Sequence, residues 1–366
     1  MQSSENRVII ACAGSGKTTL LVKEALSSPD RRIVLLTYTH NNTREIINRF
    51  GELNGGVPKH VDVVTWFAFL LHEGARPYQR ALYSESRIES IAWGMSGRSP
   101  WGIRETDTRR FYFADGNLIY PDKISQFIIR CETESGQRVT ARMRQIYTDV
   151  FIDEFQDLAG WDLEFVAMLL RSGIRVTIVG DPRQHIYSTN PSPKNTQYQG
   201  INVIGLIKDW EKHSLCRIET MSGTFRCNQA ICDFANGLWP GMDDMKARTC
   251  DKTEHDGVFL IPESAVGDYL ERFKPQVLRY DKRSKAYGCA PLNFRLAKGL
   301  EFDRVLIVPT GRIKKYLKSG NTSDIEKIRN RLHVAVTRAR HSVGFVYDGP
   351  SPIVPTRWQA GSEPIP

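Results

Sequence analysis

Arg7-Val8-Ile9-Ile10-Ala11 runs straight into Cys12-Ala13-Gly14-Ser15-Gly16-Lys17-Thr18-Thr19, and the reading of this stretch decides the fold. Val8 to Ala11 form a short apolar, β-branched run, the pattern of a buried strand. Lys17 to Ser28 reads as a helix that Pro29 ends. A strand, a Gly/Ser turn and a helix in that order place a phosphate-binding loop. Gly14 and Gly16 let the backbone turn its N–H groups toward phosphate oxygens at a helix N-terminus. Lys17 is suited to the β/γ-phosphates and the Thr18 hydroxyl to Mg²⁺, with Ala13, Ser15 and Thr19 completing the cradle. Ala11 stands where the strict pattern has its first glycine. The plain alternative is an ordinary Gly/Ser turn.

Outward from the loop, the strand–helix rhythm continues. Ile33 to Thr37 and Val61 to Thr65 read as strands, with a helix over 44–50 between them. The rhythm breaks at 72–148, a stretch rich in Arg, Ser, Glu and aromatics that reads as a mostly helical insertion. It returns with strands at 148–152 and 175–180 around a helix at 160–171. A second set follows: helices at 227–238 and 323–336, and strands at 257–261, 276–280, 304–308 and 342–347. The expected class is α/β with parallel sheets. The expected boundaries are 1–71 and 149–215 for a first domain, 72–148 for the insertion, 216–348 for a second domain, and 349–366 for a flexible, proline-rich tail.

Composition narrows the partner. The chain has 366 residues, 41% hydrophobic and 25% charged, which is ordinary for a globular protein and excludes a disordered or collagen-like one. Lys and Arg exceed Asp and Glu by 50 to 41, a net charge of +9 that favours a polyanion, nucleic acid first. The seven cysteines form no C-x-x-C pair, so reduced thiols, no structural zinc and a cytoplasmic setting are expected. No apolar run is long enough to span a membrane and no leader peptide is evident, so no membrane partner is expected.

Four further segments carry chemistry. Val150-Phe151-Ile152-Asp153-Glu154-Phe155-Gln156-Asp157 is an apolar strand ending in adjacent carboxylates. Asp153 suits Mg²⁺, directly or through water, and Glu154 suits a base that orients the attacking water. In Gly180-Asp181-Pro182-Arg183-Gln184-His185-Ile186-Tyr187, Gln184 is placed to sense a γ-phosphate or its water, and Tyr187 to face a base. Ala297-Lys298-Gly299-Leu300-Glu301-Phe302-Asp303 precedes a strand. In His333-Val334-Ala335-Val336-Thr337-Arg338-Ala339-Arg340, Arg338 is a candidate to stabilise charge on a transferring phosphoryl group; a basic helix end is the plain alternative.

Taken in order, these segments resemble the motifs of UvrD/Rep-type superfamily 1 helicases. Thr37-Tyr38-Thr39-His40-Asn41-Asn42 resembles motif Ia, Thr65-Trp66-Phe67-Ala68-Phe69 the motif after it, and Thr224-Phe225-Arg226-Cys227 motif IV. The resemblance runs from about residue 7 to 347. It implies two RecA-like P-loop NTPase domains, a 1B-like insertion in the first, bound ATP and Mg²⁺, and 3′-to-5′ movement on single-stranded DNA or DNA with a 3′ overhang. It assigns Lys17, Thr18, Asp153 and Glu154 to ATP and Mg²⁺. Gln184, Arg226 and Arg338 go to the γ-phosphate, and Gly299 and Glu301 to the nucleotide, Glu301 at its sugar. Thr39, His40, Trp66 and Tyr187 go to DNA, where aromatic rings stack on any base. Trp66 is alternatively a core tryptophan beside strand 61–65. RNA is the weaker alternative substrate.

The departures from the family carry information too. The adenine-reading glutamine has no counterpart except Gln2, which is too close to the loop. Phe294-Arg295 stands where the family has threonine and histidine. Tyr198 follows a Pro/Asn insertion and is a displaced candidate for base stacking. Only 72 positions separate Arg226 from Lys298, too few for the family's 2B subdomain. Such compact chains resemble helicase-like subunits of bacterial anti-phage systems such as Gabija, which pair with an OLD-family nuclease. Two functions follow: an ATP-dependent DNA translocase or helicase, or a nucleotide- and DNA-responsive regulatory subunit of a partner nuclease.

Overall fold

The computed structural model describes residues 5–93, 99–249 and 251–359, so Gln2 and Cys250 lie outside the described residues. The chain forms two compact units. The first comprises Met1–Ile10, Lys17–Pro182 and Tyr187–Thr220, and the second Ala11–Gly16, Arg183–Ile186 and Met221–Pro366.

The first unit holds a six-stranded sheet. Its strands are β1 (Arg7–Ala11), β2 (Ile33–Thr37), β3 (Val61–Thr65), β4 (Asp149–Ile152), β5 (Arg175–Gly180) and β6 (Arg217–Met221), in the spatial order β3-β2-β4-β5-β1-β6. From β3 through β1 the neighbours pair in parallel. Parallel strands covered on both faces need near-continuous apolar sequence, and Ile-Val-Leu-Leu-Thr in β2 is buried at every position. Asn6 anchors the start of the sheet from a buried site: its amide donates to Leu170 O (2.9 Å) and Leu215 O (2.8 Å) and accepts from Val176 N (2.9 Å). The parallel pairing puts the C-terminal ends of β2, β4 and β5 at one edge of the sheet, where the acidic turn after β4 lies.

Residues 72–148 contain helices Ile124–Glu134 and Arg138–Ile146 and a short parallel pair, Ser90–Ile91 with Leu118–Ile119. Their apolar side chains, Ile88, Ile119 and Phe127 among them, belong to the same hydrophobic cluster as Val34, Leu36 and Val150 of the sheet. The insertion therefore shares the core of the first unit.

The second unit has a five-stranded parallel sheet of β7 (Gly257–Ile261), β8 (Gln276–Arg279), β9 (Leu292–Asn293), β10 (Phe302–Val308) and β11 (Ala339–Val346), ordered β7-β11-β10-β8-β9. The interval between Arg226 and Lys298 holds three of these strands and helices Gln229–Gly237 and Val266–Phe273, which are core elements of the unit.

Two expectations need correction. The first unit continues to Thr220 rather than 215, because β6 is the edge strand of its sheet. Residues 349–359 are no loose tail: Trp358 N donates to Leu260 O (3.0 Å), and its ring packs edge-on against Tyr269 at 5.1 Å. Residues 360–366 lie outside the described residues. Among the described residues no helix is long and apolar enough to cross a membrane, and the six described cysteines are free thiols.

Candidate functional site

Gly14 and Gly16 take left-handed φ of +69° and +84°, values that glycine adopts without strain. A β-carbon on Gly14 would lie 2.6 Å from both Thr224 Oγ1 and Arg226 Cβ, so only glycine permits this approach. Gly14 O accepts from Phe225 N and Cys12 N donates to Met221 O, both at 2.9 Å. At Gly16 a β-carbon would meet nothing, so the concave side of the turn is open. The Ser15 hydroxyl is buried with no hydrogen-bond partner among the described residues, a cost that a bound oxygen ligand would relieve. Helix Lys17–Leu26 begins at Lys17 and has no acid in its first turn, which leaves its N-terminal dipole free for an anion. Ala13 is buried, while Lys17, Thr18 and Thr19 are half-buried. These residues fit a nucleotide triphosphate tail.

The strand-end carboxylates lie in the first unit with Lys17. Asp153 is buried, and its Oδ1 accepts from Glu154 N (2.8 Å). Burial and the neighbouring Glu154 charge push the Asp153 carboxyl upward, against the opposing pull of Lys17. A buried carboxyl in this state fits a divalent cation, which would compensate its charge. Glu154 has φ 55° and ψ 38°, a left-handed conformation uncommon outside glycine and typical of strained functional turns. Gln156 Nε2 donates to Glu154 Oε2 at 2.5 Å.

In the second unit, Arg338 is 2% exposed and donates from Nη2 to Gln184 Oε1 (3.1 Å), from Nη1 to Leu300 O (3.2 Å) and from Nε to Val334 O (3.1 Å). Arg226 Nε bonds Glu301 Oε2 at 2.7 Å, and Arg340 Nε bonds the other oxygen of the same carboxylate. Burial would raise the Glu301 carboxyl, but its bonds to Arg226 and Arg340 outweigh this and hold it below its ordinary range. Glu301 thus holds two arginines here. Gly299, with φ +85°, is exposed beside it. Sequence reasoning missed Arg340, and it gave no role to Phe225, whose ring is 70% exposed while its backbone is tied to Gly14.

The nucleic-acid candidates separate. Thr39 caps helix His40–Asn54, its hydroxyl accepting from Asn42 N (3.2 Å), and both Thr39 and His40 are exposed. Tyr187 is half-buried. Trp66 is 1% exposed and packs edge-on against Phe165 at 5.7 Å, so it is a core tryptophan and cannot stack on a base. Thr65 caps the short helix Trp66–Phe69, its hydroxyl accepting from Ala68 N, and Trp66 lies buried at the helix start. Tyr198 is half-buried and packs on the core of the first unit. The exposed aromatic nearby is Trp93, 59% exposed and edge-on to Phe67 at 4.8 Å; Phe67 in turn contacts Tyr38 beside Thr39. Trp93 lies in a stretch without periodicity, which is why sequence alone passed over it.

The fold is that of an α/β protein with two parallel-sheet units and a glycine turn between β1 and the helix Lys17–Leu26. Residues 117–194, which include both Asp153-Glu154 and the turn at 180–187, match the UvrD/REP helicase N-terminal domain. The Gabija protein GajB of Bacillus cereus (strain VD045) is 25% identical over 254 residues, covering 63% of this chain and 46% of that protein. The chain therefore spans about half the length of the curated relative it matches. Among solved structures, the helicase nonstructural protein 10 of an arterivirus aligns with a TM-score of 0.48 at 15% identity, over 94% of this chain and 60% of that one. The same helicase in complex with DNA aligns at 0.49 and 16%, over 96% and 63%. Over residues 117–194 the chain is thus similar to UvrD/REP helicases, and over 254 residues to GajB.

Proposed function

We propose that this chain is an ATP-dependent DNA translocase and helicase that moves 3′ to 5′ on single-stranded DNA. The observation that supports this is the first unit's own arrangement: Lys17 at a helix start with no acid in its first turn, and a buried Asp153 next to Glu154 at the end of β4. The amides of 13–16 and the Lys17 ammonium would hold the phosphates, with Thr18 and Asp153 holding Mg²⁺. The metal supplies charge neutralisation on the phosphate oxygens when bound. Glu154 orients a water and accepts its proton. Arg226 and Arg338 stabilise charge on the transferring group, and Gln184, bonded to Arg338, reports its presence. Thr39, His40 and Tyr187 form the DNA side, with Trp93 in place of Trp66 and Tyr198 as the stacking ring. Phe225 offers a second exposed ring, placed by its bond to the loop for a nucleotide base.

Strand displacement tests this. With ATP and Mg²⁺, the chain should release a labelled strand from a duplex with a 3′ overhang and not from one with a 5′ overhang. Lys17→Ala should abolish the release. Displacement from the 5′ overhang alone would overturn the direction.

The GajB likeness favours a second reading, a regulatory subunit that switches a partner nuclease in anti-phage defence. Co-purification with a nuclease whose cleavage responds to nucleotide, with no displacement by this chain alone, would establish that reading over the first.

A further inference from the structure

We infer that Gln156 is the positioning residue that aims Glu154 and ties it to the end of β5 at Gly180-Asp181, an inference that rests on the nucleotide-hydrolysis reading above. Gln156 is 1% exposed, and a buried primary amide is stable only when its donor and acceptor are both used. Its Nε2 donates to Glu154 Oε2 at 2.5 Å, and its Oε1 accepts from Asp181 N at 3.0 Å. The two bonds fix the amide's orientation. Turned over, its oxygen would face a carboxylate and its NH₂ would face a backbone N–H.

The contact with the turn depends on Gly180. A β-carbon there would lie 2.5 Å from Gln156 Oε1 and 3.2 Å from Phe155 N, so any other residue would push β5 away from the acidic turn. Glu154 needs such a guide. Its left-handed backbone is uncommon for a residue with a side chain, so its direction is set by its neighbours. With one carboxylate oxygen held by Gln156, the remaining lone pairs have a defined direction in which to receive a water proton. Asp181 lies just past the end of β5, so Gln156 makes the position of that strand end and the aim of Glu154 one mechanical property.

The test uses Gln156→Met, close in shape but without the donor, and Gln156→Asn, which keeps the buried amide one methylene too short to span both partners. The first readout needs no turnover: hydrogen exchange of the Asp181 amide in the full chain without nucleotide. We expect at least tenfold faster exchange in Gln156→Met, with circular dichroism unchanged. The second readout is steady-state ATP hydrolysis. Both variants should lose at least tenfold in kcat while KM for ATP stays within threefold, because the phosphate loop is untouched. Wild-type protection of Asp181 in Gln156→Met, or turnover within twofold of wild type in either variant, would overturn the inference. A wild-type chain that hydrolyses no nucleotide would overturn the underlying reading instead, and exchange at Asp181 would still decide the bridge.

Discussion

Trp66→Ala should damage the core of the first unit and leave the intrinsic DNA contacts intact. The Trp66 ring is 1% exposed, set among Phe67, Phe69 and Leu70 and edge-on to Phe165. A buried tryptophan removes about 150–250 Å² from water, worth up to about 4–6 kcal/mol at roughly 25 cal/mol per Å². Truncations of this kind cost about 3–5 kcal/mol, including the cavity left behind. Taking about 4 kcal/mol, and about 2–4 °C per kcal/mol for a unit of about 200 residues, the thermal midpoint should fall by about 8–16 °C. Trp66→Phe should recover roughly half of that loss by refilling part of the cavity. The assay is thermal unfolding by circular dichroism, paired with anisotropy of a labelled single strand at a temperature where the variant is folded. A midpoint within about 2 °C of wild type, together with a large loss of DNA affinity, would refute the core assignment and restore Trp66 to the DNA surface.

Other perturbations separate the remaining roles. Burial holds the Asp162 carboxyl up at about 6, against the pull of donors on Ser125, Thr189, Asn190 and Trp66. Its folded pKa lies above the unfolded one, so its contribution to stability is present at low pH and is lost as pH rises from about 4 through about 6. The stability of wild type relative to Asp162→Asn should therefore fall by about 2 kcal/mol between pH 4 and pH 7 in urea unfolding; a constant difference would contradict this. Trp93→Leu should weaken single-strand binding by about 5- to 100-fold, the effect of losing one stacking ring, without lowering the thermal midpoint. Arg340→Ala leaves Glu301 to Arg226 alone, so ATP turnover should slow several-fold while stability changes by less than about 1 kcal/mol, because Arg340 is half exposed; equal kcat would show that Arg340 does not act on Arg226 through Glu301.

Sequence carried most of the sheets because parallel strands buried on both faces must be apolar throughout, as in β2 and β4. It missed β6, Arg-Ile-Glu-Thr-Met, because an edge strand is half exposed and keeps polar residues. The glycine turn and the paired carboxylates were legible as candidates because each is a run of residues adjacent in the chain. Gln156 was visible in the same motif, yet its role depends on Gly180, which reaches it only through the pairing of β4 with β5. Trp66 misled because spacing cannot tell which way a ring turns after a helix cap. Trp358 misled in the opposite sense: a proline-rich stretch looks loose until one large ring finds a slot beside Tyr269 and Phe273.

The most direct test is steady-state ATP hydrolysis by the chain with and without single-stranded DNA, alongside Lys17→Ala and Glu154→Gln. A coupled motor predicts strong stimulation by DNA in the wild type and loss of turnover in both variants, with Glu154→Gln still binding nucleotide. A wild-type chain that binds ATP but never turns it over, whatever DNA is added, would contradict the account.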